Sequence, residues 1–94
     1  MLQRSVERRL SDVHDRLVKA RQELAIVEEQ LLQFNETAED ARIRSLVSET
    51  PLAGEESRQA RRHAEAMQRG RDAARARVAE LEQAQDDLLS KLVV

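Results

Sequence analysis

The chain has 94 residues, with 16 Lys and Arg against 18 Asp and Glu, so a sequence that is 36% charged carries a net charge of only −2. It holds no Cys, Trp or Tyr, one Phe (Phe34), one Pro (Pro51) and two Gly (Gly54 and Gly70). These counts allow one domain, leave no thiol for zinc fingers, disulfide scaffolds or cysteine catalysis, and argue against a β-sandwich or barrel. Large core-fillers are too few for a compact globule at a length where burial is already marginal. An elongated helical protein rich in Ala, Leu, Glu and Arg remains.

No basic-then-apolar leader opens the chain, and no apolar run approaches the roughly 20 residues that cross a bilayer. The expectation is a soluble cytoplasmic protein with no membrane contact. Among the 16 basic residues only Lys19 and Lys91 are lysines, a bias that points to a bacterial source of high G+C content.

From Val6 and Leu10 the apolar positions advance in steps of three and four through Val13, Leu17, Ala20, Leu24, Val27, Leu31, Phe34, Ala38 and Ala41. Such a seam predicts a first helix over about 2–47. The stretch Ser48-Glu49-Thr50-Pro51-Leu52-Ala53-Gly54 then breaks it. Pro51 suits the first position of a new helix with Thr50 as N-cap. Gly54 is a second weak point, and it favours a turn over about 48–54 with a helix over about 55–93, opened by carboxylates that suit its N-terminus. This second helix repeats the grammar through Ala60, Ala64, Met67, Arg71, Ala74, Val78, Leu81, Gln85, Leu88 and Leu92, with two polar members. Gly70 inside it costs about 1 kcal/mol relative to Ala, which a close contact there would explain.

The order of charges distinguishes a hairpin from one continuous helix in a parallel dimer. Residues 1–20 carry five positive and three negative side chains, and residues 21–47 three and six. The turn, 48–57, holds Glu49, Glu55 and Glu56; residues 58–77 hold seven Arg against Glu65 and Asp72; residues 78–94 hold Lys91 against four acids. Folding back near residue 50 sets unlike blocks side by side, whereas a parallel pair would set each block beside its own copy. The expected fold is therefore all-α, an antiparallel two-helix coiled-coil hairpin. Two alignments fit it: Leu17 against Leu81 with Leu31 against Met67, or Leu17 against Leu88 with Leu24 against Leu81.

A hairpin buries one stripe per helix, and this chain has more apolar surface than that. Val18, Ala25 and Leu32 recur every seven residues about 100° away from the Leu17-Leu24-Leu31 row, with Ile26 beside them. The hairpin base is also apolar, with Met1, Leu2 and Val6 near Leu88, Leu89, Leu92, Val93 and Val94, and an isolated hairpin is expected to leave these in water. Val18, Ala25, Ile26, Leu32, Leu89 and Val93 are thus the candidate surface for self-association or for a protein partner, with a homodimeric four-helix bundle as the simplest outcome.

Three further groups carry charge or imidazole. Arg58, Arg61, Arg62 and Arg69 share a face and could meet nucleic acid, but without stacking aromatics their expected use is pairing with acids of the first helix. Arg71, on the seam, is expected either to snorkel toward an acid such as Glu28 or to fix register as a polar seam residue can. His14 and His63 are expected to be edge residues rather than ligands. There is no phosphate-binding glycine loop or H-E-x-x-H pattern, and a smooth rod has no pocket in which to shift a carboxylate pKa. Catalytic, metal-binding and cofactor-binding residues are accordingly not assigned.

The turn remains as an acidic candidate site: Glu49, Leu52, Glu55 and Glu56 around Pro51. In shape and tip charge this resembles the N-terminal coiled coil of the Gre transcript-cleavage factors, whose acidic tip enters the polymerase secondary channel. That resemblance implies a regulatory factor acting on a large complex through its tip, although these 94 residues include no docking domain and no matching tip motif. In size the chain is similar to the WXG100 helical hairpins, which form four-helix dimers. Their turn carries Trp-x-Gly, where this one reads Thr50-Pro51-Leu52-Ala53-Gly54. The overall expectation is a non-enzymatic adaptor or scaffold, with the acidic tip and the arginine face as alternative functional surfaces.

Overall fold

The structure, a computed structural model, describes residues 2–92, with the backbone alone for Leu2. The described residues form two long helices and no strand: α1, Leu2–Ser48, and α2, Pro51–Leu92. Neither is long and apolar enough at any point to cross a membrane. The bounds of α1 agree with the seam. Those of α2 do not: it begins at Pro51, four residues before the expected start at Glu55, and the connector shrinks to Glu49 and Thr50.

Local hydrogen bonding explains the earlier start. The Thr50 carbonyl accepts the first bond of α2 from the Gly54 N–H at 3.1 Å. Its Oγ1 accepts from the Ala53 N–H at 3.2 Å, which satisfies one of the donors that a helix N-terminus leaves open. Pro51 is then the first helical residue, where its missing N–H costs nothing. With cap and proline in place Gly54 is simply helical; a Cβ there would meet Arg58 Nη1 at an ordinary 3.6 Å. No acid stands in the first turn of α2, so the expected carboxylate–dipole contact is absent there.

By packing, the chain divides into two compact units: Met1–Ala25 with Ala73–Val94, and Ile26–Asp72. In the first unit Leu17, Ala20 and Val78 form a buried cluster with Leu24 and Leu81 against it. Leu17 is 1% exposed, and burying such a side chain contributes about 1.5–3 kcal/mol. Val6 and Leu88, expected to stay in water at the chain ends, are buried instead because both lie on the seam, and Arg21 pairs with Glu82 at 3.5 Å on the exposed flank.

The second unit uses smaller side chains. Its buried seam members are Leu31, Ala41 and Ala64, with Phe34, Ala38, Ala60, Met67 and Arg71 half-buried. Phe34 meets the His63 ring edge-on, with centroids 6.3 Å apart and planes at 85°, a favoured aromatic geometry. Gly70 is exposed, and a Cβ on it would have nothing within 4 Å, so the close contact expected to explain it is not there.

Candidate functional site

The connector between α1 and α2 is built with little freedom. The Glu49 N–H donates to the Ser45 carbonyl at 3.1 Å, and Glu49 has φ of 51°. This is the left-handed helix stop that usually carries Gly, here made by a residue whose Cβ is strained in that conformation. Ser45 Oγ donates to the Arg42 carbonyl at 2.7 Å in the same last turn. Stop, cap and proline follow one another directly.

Around this connector lies apolar surface. Ile43, Leu46, Val47 and Leu52 are 48%, 63%, 80% and 70% exposed. Of these only Leu52 belonged to the candidate site read from the sequence. The signal for the others was nonetheless present: Ser45, which is half-buried, takes the step after Ala41. Ile43, Leu46 and Val47 therefore form their own i, i+3, i+4 group off the seam.

The acids expected to act together here do not share one state. Glu55 accepts from Arg58 at 3.0 Å and from Arg62 at 3.4 Å, and these bonds, Arg58 first, hold its carboxyl below the ordinary glutamate value. Glu39 is held down in the same way by a bidentate contact with Arg42, at 2.6 and 3.0 Å, which in turn raises the guanidinium. Among the described residues Glu49 and Glu56 make no ion pair; nor do Glu36 and Asp40 farther back on α1.

The expected arginine face is corrected in one respect. Arg58 and Arg62 pair with Glu55, and Arg61 approaches Glu65 at 3.9 Å, so their acids stand on α2 itself rather than on α1. Spacings of three, four and seven residues bring such partners together on one helix without any cross-helix reach. Of the four candidates Arg69 alone has no ion pair. Arg71 Nε donates to Asp72 at 2.8 Å.

The second unit is not the smooth surface anticipated. Two open grooves run beside its small-residue seam. One, of about 430 Å³, lies among Phe34, Thr37, Ala41, Arg44, Glu56 and His63; the other, of about 390 Å³, among Ala38, Glu39, Arg42, Arg61, Ala64 and Gln68. Alanine leaves such space because its side chain stops at Cβ, so neighbouring longer side chains stand over a gap.

The candidate self-association residues are exposed where the structure describes them. In the first unit these are Val18 at 41%, Ala25, and Leu89 at 45%; in the second, Ile26 at 56% and Leu32 at 65%. Val93, with Met1 and Val94, lies outside the described residues. His14 and His63 are exposed, and no group of three or more His, Cys, Asp or Glu among the described residues could hold a metal ion. No known family model, curated protein or solved structure matches this chain.

Proposed function

We propose that this chain is a non-enzymatic interaction protein, an antiparallel coiled-coil hairpin that associates two-fold into a four-helix bundle and serves as adaptor or scaffold. The observation that carries the reading is the exposure of Val18, Ile26, Leu32 and Leu89 beside a seam that is already buried. These off-seam aliphatics are only partly covered within one chain, and covering them with a second copy removes the remainder from water. The grooves beside the alanine seam suit such an assembly, since knobs from facing helices need holes to enter.

Contacts within each unit favour one of the two alignments. Phe34 lies three residues after Leu31, and His63 four before Met67, so their ring contact fits the register that sets Leu31 against Met67. The alternative would bring Phe34 beside Arg71. In the first unit, Leu17 packing with Val78 and Leu81 agrees with the same choice.

Sedimentation equilibrium of the full chain tests the assembly. The expected result is twice the chain mass, falling to a monomer in the Val18→Glu/Leu32→Glu double variant with helicity retained. A wild-type mass equal to one chain at every concentration overturns the proposal. Nucleic-acid binding through the arginine face has less support, because three of its four guanidiniums already lie beside acids, although such exposed pairs are individually weak.

A further inference from the structure

We propose that the apolar patch at the α1–α2 connector docks a basic amphipathic helix of another protein. Ile43, Leu46 and Val47 share one face of α1, and Leu52 follows across a two-residue connector. Four aliphatic side chains at 48–80% exposure within ten residues are the highest such density among the described residues. They exceed what either helix needs to pack, since the seam positions of this segment are filled by Ala38, Ala41 and Ser45.

The charges around the patch select its occupant. Between Glu36 and Glu56 the chain has six acids and only Arg42 and Arg44 as bases. Glu39 is cancelled by Arg42, and Glu55 is held by Arg58 and Arg62. That leaves Glu36, Asp40, Glu49 and Glu56 without an ion pair among the described residues, against Arg44. Asp40 stands three residues before Ile43, and Glu36 seven before it, so both acids lie on the helix face that carries Ile43 and Val47. An apolar strip edged by unpaired carboxylates is complementary to a helix with aliphatic residues on one face and Lys or Arg beside them. The same surface on a second copy would set these acids against their own counterparts, which disfavours a self-contact at this place. The helix stop at Glu49, the Thr50 cap and Pro51 hold the patch in one conformation, so binding costs little ordering of this chain. A patch of four side chains implies a small, transient interface, with affinity on the order of micromolar and strongly dependent on salt.

This proposal does not depend on the four-helix assembly, which uses Val18 and Leu32. Its probe is a fluorescent Leu/Lys peptide of about 18 residues with helical spacing, beside a Leu/Glu counterpart of the same pattern. Fluorescence anisotropy with the full chain should show the Leu/Lys peptide binding, more weakly at about 300 mM salt than at 50 mM, and no binding of the Leu/Glu peptide. Leu46→Glu/Val47→Glu should weaken binding at least tenfold, and Val18→Glu should leave it unchanged. Because a charged pair near the end of α1 could lower helicity, Glu36→Lys/Asp40→Lys provides a second variant that leaves the aliphatics in place and should also lose binding. Equal binding by the wild type and Glu36→Lys/Asp40→Lys, or equal binding of both peptides, overturns the proposal. So does a change in sedimenting mass on Leu46→Glu/Val47→Glu, since that would assign the patch to a second copy of this chain.

Discussion

The two units follow the same three-and-four periodicity but place their large aliphatic side chains oppositely. In Met1–Ala25 with Ala73–Val94, Leu17, Leu24, Val78 and Leu81 point into one cluster. In Ile26–Asp72, alanines occupy much of the seam, while Ile26, Leu32, Ile43, Leu46, Val47 and Leu52 are exposed. Side chains inside hold a fold together, and side chains outside can hold a partner. The first unit buries more of its large aliphatics, leaving Val18 and Leu89 partly exposed, and the second exposes more of them; that difference would be invisible in the overall composition.

The contrast can be broken most sharply at single leucines. Leu17→Ala should destabilise the chain by about 2–5 kcal/mol in chemical denaturation, because it empties a nearly fully buried site. Leu46→Ala, 63% exposed, should cost less than about 0.5 kcal/mol. Equal losses at the two positions would end that contrast in burial.

Smaller effects concern how the second unit is held in shape. Thr50→Ala should cost about 1 kcal/mol by removing the acceptor of the Ala53 N–H. Glu49→Gly should recover about 1 kcal/mol, since glycine adopts the observed positive φ without strain. Gly70→Ala should stabilise α2 by a similar amount, because nothing lies in the path of the added Cβ. Loss of stability on Gly70→Ala would point instead to a close approach at that site in the assembled protein.

The smallest effect is electrostatic. Glu39 and Glu55 have folded pKa values lowered by their arginine partners, so both contributions are present above the ordinary glutamate value and disappear as pH falls through the lowered ones. Both pairs are solvent-exposed, so acidification should produce only a slight loss of melting temperature from them. Carboxyl NMR titration should show both glutamates titrating below Glu in an unfolded peptide, and titration at the ordinary value would remove the pairs from the account.

The seam was legible in the sequence because it depends on a local rule. A period near 3.5 tells which side chains share a face, and each seam residue from Leu10 to Ala41 and from Ala60 to Leu92 is buried or half-buried in the structure. The break was legible as well, since Pro51 cannot continue α1 and Thr50 can cap α2. The start of α2 was harder to read, because Gly54 permits both helix and turn, and the Thr50 hydrogen bonds decide between them. Val18, Ala25, Ile26, Leu32 and Leu89 are exposed, whereas Ile43, Leu46 and Val47 lie beyond Ala41, the last apolar seam residue of α1, where the spacing no longer marks a face.

Sequence alone therefore determined the helical class, the seam membership and the position of the break, all of which follow from backbone chemistry and spacing within one segment. Tertiary structure decided where large side chains end up relative to small ones, and it brought Arg21 of α1 to Glu82 of α2. Those outcomes depend on side chains three or more residues apart competing for the same space and the same charge. The periodicity of a single helix does not resolve that competition.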